Sequence, residues 1–309
     1  MFRTIKLALF CTLVISLANA ALGQSSPCEP RVEISSLLSS VDVNSVLNMG
    51  KFYAKCLPMP TKKSSSAYEY HPYDGGKFST ILKSADGKAI NTYVWYGENI
   101  LSLWEMSRYE VIGGPEAIKK LSPGNYILEF AIEGTVFQKF PFSFTTKQSG
   151  DQFRPETLYL VDGLWREYAQ LYAPNVDRFF QLIVWLRDED SSAEPKRRRV
   201  PFQMRLIRES DKKTVAESDK DSALMLDHKW HDVKLSFRRP GASQTKDYSE
   251  FKLSEIVATD GKYRIELALE GRPVANYPFT VKGGRINDID LAQMRKENFR
   301  IMVPLTKAR

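Results

Sequence analysis

One stretch of nineteen residues is written twice in this chain: "GNYILEFAIEGTVFQKFPF" from Gly124 and "GKYRIELALEGRPVANYPF" from Gly261, 137 residues later. Tyr126 and Tyr263, Glu129 and Glu266, Glu133 and Glu270, and Pro141 and Pro278 are identical at that spacing. Within each copy the apolar side chains alternate. Tyr126, Leu128, Phe130 and Ile132 share one parity, as do Tyr263, Ile265, Leu267 and Leu269. A period of two is that of a strand with one face in a core. A Glu-Gly pair follows, then a second alternating run: Phe140, Phe142, Phe144 in one copy and Tyr277, Phe279, Val281 in the other. Strand, tight turn with glycine, strand is a β-hairpin. A lone hairpin is marginal in water, so each copy needs further strands around it. A hairpin repeated at this distance predicts two domains of one kind. A solenoid would repeat every ~20–50 residues.

In both copies Gly stands two residues before Tyr, in "LSPGNY" and "TDGKY". This resembles the tyrosine corner of immunoglobulin and fibronectin type III domains, whose Tyr hydrogen-bonds back over the connection that leads into its strand. The resemblance covers each repeat and its lead-in and is one of fold. It implies an all-β chain: two Ig-like antiparallel β-sandwich domains in tandem, with short helices in the connections. Neither copy carries the cysteine pair that joins the sheets of antibody domains. "PEAIKKL" from Pro115 reads as a one-turn helix before the first corner, and "FKLSEIV" from Phe251 holds the matching place. Asp86-Gly87 and Asp211-Lys212 mark two further hairpin turns. "RFFQLIVWLRD" (178–188) is apolar on both parities, as a central strand is, with Trp185 expected between the sheets. The expected division is a leader at 1–23, an N-terminal extension at 24–65, one domain at 66–150, and a second at 151–309 that includes the C-terminal tail. The seam is placed in the polar stretch 146–156.

The leader has the form of an export signal. Arg3 and Lys6 precede an apolar core, "LALFCTLVISL", and "ANA" supplies small residues for cleavage. The expected location is therefore secreted or periplasmic. No apolar run elsewhere is long enough to span a bilayer. The full chain carries a net charge of +7, and two of those charges leave with the leader. A balance this mildly basic assists contact with acidic surfaces without implying nucleic acid. Cys11 departs too. That leaves Cys28 and Cys56, which form a disulfide in an oxidising compartment or else remain as two buried thiols.

Motifs for chemistry are few. "DHKWHD" (227–232) holds two histidines, each beside an aspartate. On a helix His228 and His231 would share a face and could grip a zinc ion, whereas the alternating "DVKLSF" that follows favours a strand, which separates them. The acidic run at 188–190 lacks the ligand spacing of a calcium loop. No nucleophile elbow, metalloprotease helix, P-loop or dinucleotide fingerprint occurs, so neither catalysis nor a cofactor is expected. Two binding surfaces are possible. Arg199, Arg205, Lys234 and Arg238 lie opposite the apolar parity of their segments. They would form one anion-binding face if those strands were neighbours. Tyr70, Tyr73 and Trp95 would offer a shelf for sugar rings if exposed. The expectation for function is a non-catalytic binding or scaffolding protein, with a protein, an anionic surface or a glycan as partner. A carbohydrate-binding module and a structural envelope protein are the alternatives.

Overall fold

In a computed structural model of the protein both repeated stretches are β-hairpins in matching register. The structure describes residues 29–58, 78–100, 103–149, 152–153, 155–172, 180–188, 197–219, 222–241, 251–286, 300–304 and 306–307. Strands dominate them, and the antiparallel sheets curl over two separate cores.

The first module begins earlier in the chain than its sequence suggests. It comprises β1 (Arg31–Val32), α1 (Ile34–Leu38), β2 (Val41–Asn44), β3 (Val46–Met49), β4 (Phe52–Lys55), β5 (Phe78–Ser84), β6 (Ala89–Ile100), β7 (Leu103–Val111), β8 (Gly124–Ile132), β9 (Thr135–Gln148) and β10 (Thr157–Gly163). Eight of these make one sheet in the order β1-β4-β7-β6-β5-β8-β9-β10, while β2 and β3 form a separate hairpin. Residues 31–57 are thus part of this module, with Leu37, Val43, Leu47, Phe52 and Ala54 buried in its core. The polar stretch expected as the seam instead falls between two strands of one sheet, β9 and β10, in which Tyr159 and Leu160 pair with Thr146 and Thr145.

A two-sheet sandwich is expected here, yet a single sheet bends round. β6 has a register shift at Tyr96/Gly97. A Cβ on Gly97 would lie 2.6 Å from Met106 Sδ and 3.0 Å from Glu105 O, so only glycine lets the two strands cross this closely. The bent sheet then closes on itself through a side chain. Val32 N–H donates to Gln138 Oε1 (2.7 Å), and Gln138 Nε2 donates to Val32 O (3.1 Å). The Gln138 amide stands in for the next strand beside β1.

The second module has β11 (Tyr168–Tyr172), β12 (Gln181–Leu186), β13 (Arg198–Arg208), β14 (Thr214–Glu217), β15 (Ala223–Leu226), β16 (His231–Ser236), α2 (Leu253–Val257), β17 (Gly261–Leu269), β18 (Arg272–Lys282), β19 (Arg285–Ile286), β20 (Arg300–Pro304) and β21 (Thr306–Lys307). One sheet runs β16-β12-β11-β20 and the other β14-β13-β17-β18-β19, with β15 on β13 and β21 on β18. Leu171, Leu182, Val184 and Leu235 from the first sheet share one core with Met204, Leu206, Ile265 and Phe279 from the second.

The repeated residues do matching work in both modules. Glu133 and Gly134 have φ of 48° and 79°, and Glu270 and Gly271 have 50° and 75°. Two successive left-handed residues make the turn that matches strand twist, which is why Glu-Gly recurs. Each hairpin carries its bulge at the same place, Phe130/Ala131 and Leu267/Ala268. Tyr126 Oη donates to Ser122 O, and Tyr263 Oη donates to Thr259 O at 2.9 Å, both across four residues. Their rings stack on Phe142 and Phe279, each pair with centroids 5.6 Å apart. The repeated glutamate is gripped by two cations in each copy: Glu129 by Lys83 (2.7 Å) and Lys139 (2.9 Å), Glu266 by Arg205 and Arg264 (2.7 Å each).

Candidate functional site

The residues nominated from sequence do not converge. Arg199 and Arg205 lie on β13 and Lys234 on β16, strands of different sheets whose outer faces point away from each other. Parity sends these side chains outward, but outward has two directions when two sheets share one core. Arg205 is spent on Glu266, and Arg238 pairs with Asp219 at 2.8 Å. The four form no common basic face.

Trp95 is not exposed. It shares the inward parity of Tyr93, is 1% accessible, sets its ring edge-on to Phe52 at 4.6 Å and donates from Nε1 to Thr80 Oγ1 at 2.8 Å. The shelf therefore loses its tryptophan to the core. Tyr70 and Tyr73 lie outside the described residues, as does Cys28. His228 and His231 are split by the start of β16. Only His231 meets a carboxylate at hydrogen-bond distance, with its Nε2 2.8 Å from Asp227 Oδ1. Among the described residues no three His, Cys, Asp or Glu side chains are grouped as metal ligands, and no helix is long and apolar enough to cross a membrane.

What the fold does assemble is the junction of the two modules. β10 ends at Gly163, whose φ of 148° and ψ of −135° are a glycine conformation. A Cβ there would sit 3.1 Å from Pro141 O. The chain then makes a one-turn 3-10 helix, Leu164–Arg166, and enters β11. That turn buries Trp165, which packs edge-on to Phe140 and donates from Nε1 to Leu38 O (2.6 Å) at the end of α1. From the second module comes Trp230, in the loop before β16. Its Nε1 donates to Val161 O at 2.6 Å, and its ring lies 7° from parallel with Trp165.

Arg187, just beyond β12, completes the junction. Its side chain is 3% accessible. The guanidinium lies 4.6 Å from the Trp230 ring centre, donates to Val161 O (2.6 Å) and pairs with Asp162 (3.2 Å). Asp162 also holds Arg166. Outside this knot, Lys229 reaches Asp42 of β2 at 2.7 Å.

Trp185 does not pack in the core that its own strand otherwise faces. Leu182 and Val184 point to the second core, while Trp185 takes the opposite parity and joins the first. Its Nε1 has no hydrogen-bond partner among the described residues. Buried indoles are worth about 4–6 kcal/mol each in area terms, enough to override the usual freedom of neighbouring domains. The junction is thus a packed interface. Its groups meet between the modules across separations of 25 to 187 residues, which leave no local pattern to read.

Charge at the junction is held by local geometry. Burial works against the Asp227 carboxylate, but the Lys229 amide and His231 outweigh it and keep its pKa below the ordinary value. Burial also pushes the His228 imidazole below the ordinary histidine value, against the pull of Asp227. That direction favours the uncharged form of His228 at neutral pH.

No family model, curated protein or solved structure matches the chain.

Proposed function

We propose that the chain is an exported, non-catalytic binding or scaffolding protein whose two β modules act as one rigid body. The observation that carries this reading is the junction itself. Three tryptophans, a buried arginine and a two-cation carboxylate bind the modules to each other where a flexible linker would have sufficed. Catalysis asks for convergent, perturbed groups in a cleft. The charged groups at this junction are largely committed to one another, which suits a spacer or platform.

We read both modules as variants of the Ig-like sandwich. In the second, β11, β12 and β16 facing β14, β13, β17 and β18 support that reading. The first departs from it by bending a single sheet. A Cys28–Cys56 bridge belongs to the same reading of an exported chain.

The test is retention. The mature chain is sedimented with isolated cell envelopes and with purified envelope polysaccharide, at low and high salt. Saturable retention on either, without chemical change to the polysaccharide, is the expected result. Absence of retention at both salt concentrations, or release of polysaccharide fragments, overturns the proposal.

A further inference from the structure

The junction lines a partly open cavity of about 150 Å³ beside Trp230. Both modules build it. Ser40 and Asp42 come from the turn after α1 and from β2, Tyr159 from β10, and His228, Lys229 and Trp230 from the loop between β15 and β16, with Val161 as an apolar contact. A volume near this is known to hold a benzene ring, and the accessible rim at Asp42 and Lys229 leaves room for the substituents of a larger one.

The chemistry of the walls narrows the occupant. Asp42 and Lys229 form an ion pair at 2.7 Å, and both remain partly accessible, at 37% and 47%. They present an acceptor and a donor side by side at the rim. Burial favours the neutral form of His228, whose ring adds a donor or an acceptor. The Ser40 hydroxyl is engaged by the carbonyl oxygens of Ser36 and Lys51, which fixes it at the cavity wall. These groups sum to zero charge. A carboxylate ligand would face Asp42 and an ammonium ligand would face Lys229, so neither sign is favoured. An aromatic wall from Tyr159, an apolar contact and alternating donors and acceptors are complementary to a ring bearing adjacent hydroxyls.

We propose that this cavity binds one ring of a neutral cyclic polyol, a pyranose unit of a glycan, with the Asp42–Lys229 pair engaging two neighbouring hydroxyls. The proposal rests on the binding reading above and gives it a place and a ligand class. Because the walls come from both modules, a bound ring also braces the junction.

The experiment titrates the full mature chain with methyl α-D-glucopyranoside, methyl α-D-galactopyranoside, N-acetylglucosamine and myo-inositol, followed by tryptophan fluorescence and saturation-transfer NMR. At least one probe is expected to saturate with a Kd on the order of 1 mM, the range for a ligand of this size. Asp42→Asn and Lys229→Met should each weaken it by about tenfold or more, while Lys229→Arg retains most of it. The pair is exposed, so the urea midpoints of these variants should stay near the parent's and separate lost binding from lost folding. Glucuronate and glucosamine should bind more weakly than their neutral counterparts. No saturation by about 100 mM of any probe, or saturation untouched by both Asp42→Asn and Lys229→Met, overturns the proposal. Envelope retention that survives Asp42→Asn would remove this cavity as the contact and leave the scaffold reading standing.

Discussion

Replacing Arg187 by alanine tests the rigid junction most directly. The change removes a charged donor from Val161 O, worth ~1.5–3 kcal/mol. It removes a desolvated guanidinium from the face of Trp230, worth ~2 kcal/mol, and empties the space of a buried stem. Simple addition would exceed the ~3–5 kcal/mol typical of breaking a buried pair. Two features hold the loss toward the lower end of that range. Val161 O keeps its bond from Trp230, and Asp162 keeps Arg166, so neither acceptor is stranded. The expected destabilisation is therefore about 3 kcal/mol, or roughly 6–12 °C for a chain of this size. Arg187→Lys keeps the charge but loses the planar fork, and should fall about midway. Equilibrium urea unfolding followed by tryptophan fluorescence reads the magnitude. Calorimetry reads whether one transition has become two. An Arg187→Ala protein within about 0.5 kcal/mol of the parent, with its calorimetric profile unchanged, would refute the argument that this residue couples the modules.

Tyr126→Phe and Tyr263→Phe should each cost about 1 kcal/mol in urea midpoint, the value of one hydroxyl bond to a turn carbonyl. Equal effects from the two would show that the repeated corners do equal work. Gln138→Leu should cost about 2–4 kcal/mol, because it leaves both the N–H and the C=O of Val32 without their partner. Amide exchange at Val32 should quicken most, and exchange there that is unaltered would count against the closure. Lys83 first, and Lys139 with it, hold the Glu129 carboxyl below the ordinary glutamate value of 4.5. Its folded pKa is thus below its unfolded one, so its stabilising effect is complete above the ordinary value and disappears as pH falls through the folded value. A stability profile between neutral and acid pH should lose part of its slope in Glu129→Gln; identical slopes would speak against the triad.

How much of this was legible in sequence depends on the range of the interactions. The hairpins were, because alternation, Glu-Gly and Gly-x-Tyr are local and appear twice. So were the short helices at Pro115–Ala117 and Leu253–Val257, which sit at matching places before each corner. Residues 31–57 were not, because their strands run only two to four residues and gain meaning through β7 and Gln138. Trp95 was readable in principle: it continues the parity of Tyr93, a signal stronger than the attraction of an aromatic beside a tyrosine. For Trp185 the parity was the wrong question, since a residue on the outer side of one sheet is still interior when another module covers it. The basic residues failed for a related reason. Alternation tells inside from outside and carries no information about which of two sheets a strand joins.

The Gln138 closure has a mechanical consequence. A hoop fastened by one amide clasp has a designated place to part, and local opening there costs two hydrogen bonds where unzipping a strand pair would cost a whole ladder. Once parted, the sheet has open edges along the two residues of β1 and along the part of β9 before Phe142, which β10 does not cover. The clasp thus keeps those edges covered while the module is folded.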